Sequence, residues 1–287
     1  MTHKIYLDSW RTKFVVPPHN SSLGNKILHL YFCINYANKH GLEIRIPHPS
    51  NLDKIFDTTE LIEYNDLAQN IFTEPTAHST TNLETIFADS KFQFLEESFF
   101  LDDKLTSTKD VFVKGHFYHY DLMPTIDIVN RFLDYNQSNY LSAMDITKEY
   151  QELNKNVIFV HYRGTDFINH ENRMGDCRLP STYYDKAFEI AKTDFKKPLF
   201  LCLSDEPDFF LQFKAKHDIE ILNNSYEVDW FLLHLTTKMI SSNSSFSWTA
   251  ALHNKDFLVQ PSSGLYPHSS PGKQIPYGSH IKGSILV

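Results

Sequence analysis

Three side chains able to bind a charged ligand follow one apolar run near the middle of the chain. His161, Arg163 and Asp166 come directly after the β-branched and aromatic residues Val157–Val160. Such a run is typical of a buried parallel strand, and ligands of open α/β sheets bind beyond the carboxyl ends of these strands. The three side chains are therefore placed for ligand binding. An alternative is that Arg163 pairs with Asp166 while His161 caps the strand.

Two further polar segments follow apolar runs later in the sequence. Residues 204–206 come after the run 198–203, and residues 242–247 come after the short run 239–241. Strands that alternate with helical segments of this length predict a parallel, right-handed, Rossmann-like sheet. Since parallel strands end at one edge of a sheet, we expect these two segments and 161–166 to share one rim.

The chemistry of this predicted rim suits a nucleotide diphosphate. Serines such as Ser244 and Ser245 at a helix start offer hydroxyls and unpaired backbone N–H groups to an anion. Arg163 can add a bidentate contact to phosphate, and Asp205 suits the hydroxyl or amino groups of a ribose or base. The serines and Asp205 also fit as simple helix N-caps, a role compatible with ligand binding.

The remaining elements of the second half follow from periodicity and helix signals. A helix is predicted from Ser181 to Asp194 and another from Pro207 to Lys216. Asp229 is expected to cap a helix that begins at Trp230 and ends near Lys238.

The first half is predicted to form a similar but less regular unit. A helix spans Ile27 to Gly41, with Gly24 and Asn25 at its entrance, where backbone N–H groups could meet a ligand. A helical stretch from 124 to 150 carries the chain to the second half. We therefore expect domains 1–150 and 151–287. The predicted strands of the first half are 13–17, 42–47, 91–95 and 110–115.

Composition excludes several classes of protein. The 287 residues are long enough for two domains, and the net charge of −8 argues against a general nucleic-acid partner. Cys33, Cys177 and Cys202 are odd in number and widely spaced, as expected of reduced thiols rather than a disulfide framework. With neither a leader nor an apolar span of membrane length evident, we expect a cytoplasmic protein without an integral membrane segment.

Missing motifs narrow the function further. The sequence contains no glycine fingerprint of NAD enzymes, no P-loop and no nucleophile elbow of α/β-hydrolases. It has no Asp-x-Asp pair, so we expect no metal cofactor, and a pyrophosphate would be stabilised by arginine and backbone donors. His116 and His119 follow a predicted strand, but no third ligand accompanies them at zinc spacing.

Taken together, the motifs resemble those of one enzyme family. The segment His161–Asp166 resembles the H-x-R-R-x-D motif of the α-1,2, α-1,6 and protein O-fucosyltransferases, and Leu201–Pro207 is similar to their second motif. Asp229-Trp230 through Ser242–Trp248 resembles the third motif, closest to the α-1,2 branch. In the first half, Leu23–Lys26 and Val113–Phe117 resemble two further segments of that branch.

The resemblance implies a GT-B fold, in which two Rossmann-like domains face a cleft. It implies an inverting, metal-independent transferase that moves fucose from GDP-fucose to a glycan hydroxyl. His161 and Asp205 would contact guanosine, Arg163 the β-phosphate, and Ser244 with Ser245 the diphosphate. The implied donor-binding set is completed by Gly24, Asn25, Asp166, Ser204, Asn243 and Phe246.

The resemblance identifies the general base and the acceptor-binding residues less closely than the donor-binding residues. In the α-1,6 branch a glutamate ten residues after the motif histidine is the proposed base, which corresponds here to Glu171; His170 and His116 are alternatives. His116 and Tyr118 lie in an aromatic segment suited to a sugar acceptor.

The sequence departs from the family motif at Gly164, where many relatives have a second arginine. Either Arg173 or Arg178 compensates, or the donor preference has changed. Alternative functions are transfer from another nucleotide sugar, and nucleotide-sugar or glycan binding without catalysis.

Overall fold

The computed structural model of the chain describes two compact units. The described residues are 4–6, 23–45, 51–61, 92–96, 110–114, 120–153, 156–167, 176–253, 255–263 and 280–287. By their contacts, the described residues up to 114 and those of 122–135 form the first unit. Residues 120–121 and the described residues from 136 onward form the second.

Strands and helices alternate along most of the described sequence. The strands are β1 (Lys4–Tyr6), β2 (Glu43–Arg45), β3 (Phe56–Asp57), β4 (Phe92–Glu96), β5 (Asp110–Lys114), β6 (Asp134–Tyr135), β7 (Val157–Tyr162), β8 (Leu199–Ser204), β9 (Ile219–Ile221), β10 (Lys238–Ile240), β11 (Phe257–Gln260) and β12 (Ile285–Leu286). The helices are α1 (Leu23–His40), α2 (Ile126–Phe132), α3 (Gln137–Leu153), α4 (Ser181–Asp194), α5 (Tyr226–Leu235) and α6 (Ser245–Ala251), and Pro207–Phe213 forms a 3₁₀ helix.

The first unit is built on a parallel sheet with the strand order β2-β1-β5-β4. β2, β4 and β5 lie where strands are predicted, whereas β1 is not predicted, because three residues of mixed polarity carry no strand pattern. The predicted strand 13–17 lies outside the described residues.

Helix α1 is the main buried helix of this unit. Apolar residues occur on most of its faces, including Ile27, Tyr31 and Ile34, all fully buried. The helix ends at Gly41, whose φ of +66° suits a residue without a side chain. The N–H of Leu42 then donates to the carbonyl of Ala37 at 3.1 Å, as in a Schellman motif. The predicted helix stop at Gly41 is confirmed.

The helical stretch predicted over 124–150 is interrupted. α2 ends at Phe132, and β6 pairs antiparallel with β3 before α3 begins. The Tyr135 ring lies 5.7 Å from the Phe56 ring, centroid to centroid. This pairing joins segments far apart in sequence, so no local pattern indicates it.

The second unit contains a six-stranded sheet in the order β12-β11-β10-β7-β8-β9, and every pair is parallel. All six residues of the central strand β7 are buried, in agreement with its continuous apolar run. The predicted Rossmann-like sheet is therefore confirmed for this unit. β12 is not predicted, because Ile285–Leu286 is too short to show a period.

An aromatic core packs α4 against this sheet. The fully buried rings of Tyr184, Phe188, Phe200 and Phe210 belong to a single cluster that also includes Phe213. Phe188 and Phe200 lie 4.6 Å apart, centroid to centroid. Burial of such large rings supplies much of the hydrophobic stabilisation of the unit and fixes the strand ends that precede the polar segments.

The predicted start of the fifth helix is wrong. α5 begins at Tyr226, and Ser225 is its N-cap, with Oγ accepting from the N–H of Val228. Asp229 lies inside the helix and accepts a hydrogen bond from Asn224 Nδ2 at 3.1 Å. Ser225 has the same capping chemistry as Asp229, so local sequence allows either start.

The division between the units falls before α3. The Tyr140 ring of α3 lies 5.6 Å from the Phe231 ring of α5, and α3 belongs to the second unit. The boundary expected after residue 150 lies within this helix. The three cysteines are buried, and no disulfide joins them in the part of the chain that the structure describes. Among the described residues no helix is long and apolar enough to cross a bilayer.

Candidate functional site

The polar segments identified in the sequence lie at one edge of the six-stranded sheet. β7 lies between β8 and β10, with Tyr162 paired to Ser204 and Val160 paired to Ile240. The segments that follow these strands are therefore neighbours, as predicted from the parallel topology. We call this edge, formed by 161–165, 204–206 and 241–247, the rim.

Asp205 holds the loop that follows β7. Its Oδ1 accepts from the N–H of Gly164 at 2.8 Å, and its Oδ2 accepts from the Thr165 hydroxyl at 2.6 Å. Oδ2 also lies 3.1 Å from Nη1 of Arg163. Burial alone would raise the pKa of Asp205, but Arg163 and the two hydrogen bonds bring it below its ordinary value. Asp205 is therefore a charged anchor for Arg163.

His161 is a buried, neutral group on the rim. Its Nδ1 lies 2.9 Å from Ser242 Oγ, and its ring lies 5.3 Å from that of Phe246. Ser242 Oγ is in turn 3.1 Å from Ser247 Oγ. Burial lowers the pKa of His161 to about 3; nearby Asp205 raises it and Arg163 lowers it. The imidazole is therefore neutral near pH 7 and would offer a ligand a hydrogen bond rather than a positive charge.

The segment before α6 uses part of its polar chemistry for itself. Ser244 is the N-cap of α6, and its Oγ accepts from the N–H of Phe246 at 3.3 Å. Asn243 Nδ2 donates to the carbonyl of Cys177 at 3.0 Å. Within the described part of the chain, Asn243 Oδ1 is buried without a hydrogen-bond partner. A buried acceptor of this kind is available to a ligand or an ordered water.

Ser204 stabilises the turn after β8. Its Oγ accepts from the N–H of Glu206 at 2.8 Å. This contact fixes the backbone that presents Asp205 and Glu206 to the rim.

Two tyrosines of α4 support the rim through their hydroxyls and are not identified as site residues from the sequence. The Tyr183 hydroxyl donates to the carbonyl of Ser241 at 2.6 Å, and the Tyr184 hydroxyl donates to that of His161 at 2.9 Å. Both accepting carbonyls lie where a strand gives way to the rim. A tyrosine rather than a phenylalanine on a buried helix face is the one signal that could have indicated this.

The other predicted site residues lie in the first unit or outside the described residues. Gly24 and Asn25 lie in the first turn of α1, in the first unit. Glu171, His116 and Tyr118 lie outside the described residues, as do His119, His170, Arg173 and the side chain of Asp166. No cluster of three or more metal-ligating side chains occurs among the residues described.

Comparison with known proteins gives a match in structure alone. No family profile and no curated protein matches the sequence. The crystal structure of the fucosyltransferase NodZ from Bradyrhizobium is similar with a TM-score of 0.53 and 12% identity, over 87% of this chain and 92% of that one. A structure of NodZ α-1,6-fucosyltransferase soaked with GDP-fucose gives a TM-score of 0.52 and 14% identity, over 88% and 92%.

The fold is that of the GT-B fucosyltransferases. The α/β architecture and the family resemblance read from the motifs are thereby confirmed at the level of the fold. A likeness at this identity says nothing about the α-1,2 branch, which stays a prediction, as does the arrangement of the two units around a cleft.

Proposed function

We propose that this protein is an inverting glycosyltransferase that moves fucose from GDP-fucose to a hydroxyl of a glycan acceptor. The proposal includes a metal-independent reaction in the cytoplasm. It rests on one observation above all: a carboxylate-held arginine, Arg163, lies on the same rim as the segment Asn243–Phe246, in a fold shared with a fucosyltransferase.

The rim supplies groups suited to a nucleotide diphosphate. The guanidinium of Arg163 can donate two parallel hydrogen bonds to a phosphate, and Asp205 restricts its position before the ligand arrives. Neutral His161 and the free oxygen of Asn243 offer neutral hydrogen-bonding groups to the nucleoside. This arrangement supports donor binding at the second unit.

In the proposed reaction the acceptor hydroxyl attacks the anomeric carbon of fucose from the side opposite the diphosphate. A new carbon–oxygen bond forms, the bond from that carbon to the β-phosphate oxygen breaks, and a general base takes the hydroxyl proton. Arg163 stabilises the negative charge that develops on the departing GDP. Glu171 is the first candidate for the base, with His170 and His116 as alternatives; all three lie outside the described residues.

The test is ligand binding followed by transfer. We expect GDP and GDP-fucose to raise the melting temperature more than UDP or UDP-sugars, and EDTA to leave the shift unchanged. Arg163→Ala should abolish the shift and the transfer of fucose while the protein stays folded. Arg131→Ala, which removes an exposed arginine of the first unit, is the control. Stabilisation by UDP compounds alone would rule out GDP-fucose as the donor.

A second candidate is a binding protein without catalysis. It is favoured by the carboxylates Asp176, Asp205 and Glu206, which lie close to Arg163 on the rim or to Arg178 and reduce the positive charge there. Such a protein would bind GDP-fucose but release no GDP from it with any acceptor. Measuring GDP release from bound GDP-fucose, with and without a panel of glycans, separates the two functions.

A further inference from the structure

A second arginine lies beside the rim, immediately before α4. Arg178 donates from Nε to Asp176 Oδ1 at 3.0 Å and from Nη2 to Asp176 Oδ2 at 2.7 Å. Its Nη1 lies 4.0 Å from Glu206 Oε2, and its side chain is 32% exposed. Arg178 is thus held by carboxylates, as Arg163 is held by Asp205.

The backbone that carries Arg178 is tied to the rim. Asn243 Nδ2 donates to the carbonyl of Cys177, and the N–H of Cys177 donates to the carbonyl of Phe167 at 2.8 Å. Asn243 is almost fully buried. Arg178 is therefore fixed relative both to the segment before α6 and to the loop after β7.

Gly164 makes room for Glu206. A Cβ added at Gly164 would lie 2.1 Å from Glu206 Oε2 and 2.8 Å from Glu206 Cβ, distances at which the Glu206 side chain must move. Gly164 does not have a positive φ, so the glycine is required for space rather than for its backbone conformation. The Glu206 carboxylate can lie next to Arg178 only because residue 164 has no side chain.

The Glu206 carboxylate in turn faces Arg178. Its Oε2 is buried and lacks a hydrogen bond within the described part of the chain. The opposite charge of Arg178 is the nearby compensation for this buried oxygen. Displacement of the Glu206 carboxylate would therefore remove its charge from beside the guanidinium and leave Asp176 to hold it.

We propose that Arg178 is a second anion-binding guanidinium of the donor site, and that Gly164 and Glu206 are the residues that position it. The ligand group is a diphosphate, so the inference rests on the proposed function for its substrate. A diphosphate carries charge on both phosphates, and two arginine forks suit it better than one.

The pairing with Asp176 leaves part of the fork available. A guanidinium has five N–H donors, of which Asp176 takes that of Nε and one on Nη2. The remaining N–H groups can donate to a phosphate. The carboxylates meanwhile keep the fork from adopting other rotamers, which reduces the entropy lost when the anion binds.

The first experiment measures binding of inorganic pyrophosphate and of GDP by titration calorimetry. Arg178→Ala should weaken both by about tenfold or more, the effect of losing a charge-assisted hydrogen bond. Arg178→Lys should recover only part of the loss, because lysine has no fork. Arg131→Ala is the control and should bind both ligands as the wild type does. Unchanged binding of both ligands by Arg178→Ala overturns the inference.

The two ligands distinguish failure of the inference from failure of the proposed function. If the wild-type protein binds pyrophosphate through Arg178 but binds UDP more tightly than GDP, the second anion site is supported and GDP-fucose is ruled out as the donor. If the protein binds GDP more tightly than UDP and Arg178→Ala leaves that affinity unchanged, the proposed donor is supported and the second anion site is ruled out.

The second experiment tests the positioning by Gly164 and Glu206. Gly164→Ala should weaken GDP binding by displacing the Glu206 side chain, and Glu206→Ala should weaken it to a similar extent. In the double variant the two effects should not add, because the alanine at 164 then has nothing to displace. Glu206→Gln keeps the size of the side chain. In that background Gly164→Ala should weaken GDP binding as much as it does in the wild type. Additive losses in the double variant would show that Gly164 acts independently of Glu206 and overturn the positioning.

Discussion

Arg163 and Asp205 form an ion pair between the ends of two adjacent strands, with Nη1 3.1 Å from Oδ2. The side chains are 19% and 22% exposed, and Asp205 also binds the loop through Gly164 and Thr165. Both Asp205 oxygens are thus occupied by protein donors. The structure gives Asp205 the role of orienting Arg163, where the sequence predicted that it would contact the nucleoside; a ligand contact stays a prediction.

Asp205→Asn should weaken GDP binding by about tenfold, because the amide loses the charge that orients Arg163. The pKa of Asp205 is lowered in the folded protein. The ion pair of Asp205 with Arg163 therefore stabilises the fold at pH values above the ordinary pKa of aspartate. This stabilisation is lost as pH falls through the lowered value. Titration of the variant with GDP at pH 7 measures the effect. Asp208→Asn, an exposed carboxylate three residues later, is the control, and an equal loss there would contradict the assignment.

The sequence predicts the rim well because the rim depends on topology. Apolar runs that alternate with helices imply a parallel sheet, and the polar segments that begin at residues 161, 204 and 242 therefore meet at one edge. The strand order within that edge is not needed for this conclusion. The alternation alone places His161 and Asn243 at the same edge of the sheet, where the parallel strands end.

The partners within the rim are not predictable in the same way. Asp205 pairs with Gly164, Thr165 and Arg163 because of the close approach of two loops, and no spacing in the sequence encodes that distance. The same holds for β3 and β6, which pair across a long separation. The N-cap of α5 cannot be chosen from the sequence alone, because Ser225 offers the same capping chemistry as Asp229 four residues earlier.

His161 should make the protein less stable in mild acid. Its pKa is lowered by burial to about 3, so between that value and 6.5 the unfolded chain binds a proton that the folded one does not. Stability therefore falls as pH drops below about 6.5, by at most about 1.4 kcal/mol per pH unit for this one group. His161→Gln should reduce the slope of unfolding free energy against pH from 4 to 6.5, measured by urea denaturation. An unchanged slope would show that His161 does not titrate as a buried neutral group.

Asp229→Asn should increase stability at pH 8. Burial raises the pKa of Asp229 to about 6, with the Asn224 hydrogen bond opposing and Glu227 adding to the rise. A raised carboxyl pKa stabilises the fold at low pH, and this contribution is lost as pH rises through 6. The asparagine keeps an acceptor for Asn224 without the charge, so we expect a gain of about 1 kcal/mol at pH 8 and none at pH 4. Asp145→Asn, at an exposed aspartate of α3, is the control. A loss of stability at pH 8 would show that the charge itself is needed.

Lys255 joins three segments around β10, and its replacement by methionine should destabilise the second unit. Nζ donates to the carbonyls of His234 at 3.0 Å, Thr236 at 2.8 Å and His253 at 3.1 Å. These carbonyls lie at the end of α5, just before β10 and just after α6. Methionine keeps the apolar stem but removes all three donors, and each buried acceptor left unpaired costs about 1–3 kcal/mol.

We therefore expect Lys255→Met to lower the unfolding free energy by about 2–4 kcal/mol in chemical denaturation, allowing for partial rehydration of the carbonyls. Lys192→Met, at a partly exposed surface lysine on α4, should change it by less than about 0.5 kcal/mol. Because the segment Ser241–Ser244 runs between β10 and α6, the destabilised Lys255→Met variant should also bind GDP more weakly than Lys192→Met does. A Lys255→Met protein as stable as the wild type would mean that water replaces the ammonium at all three carbonyls, and that the rim does not depend on this lysine.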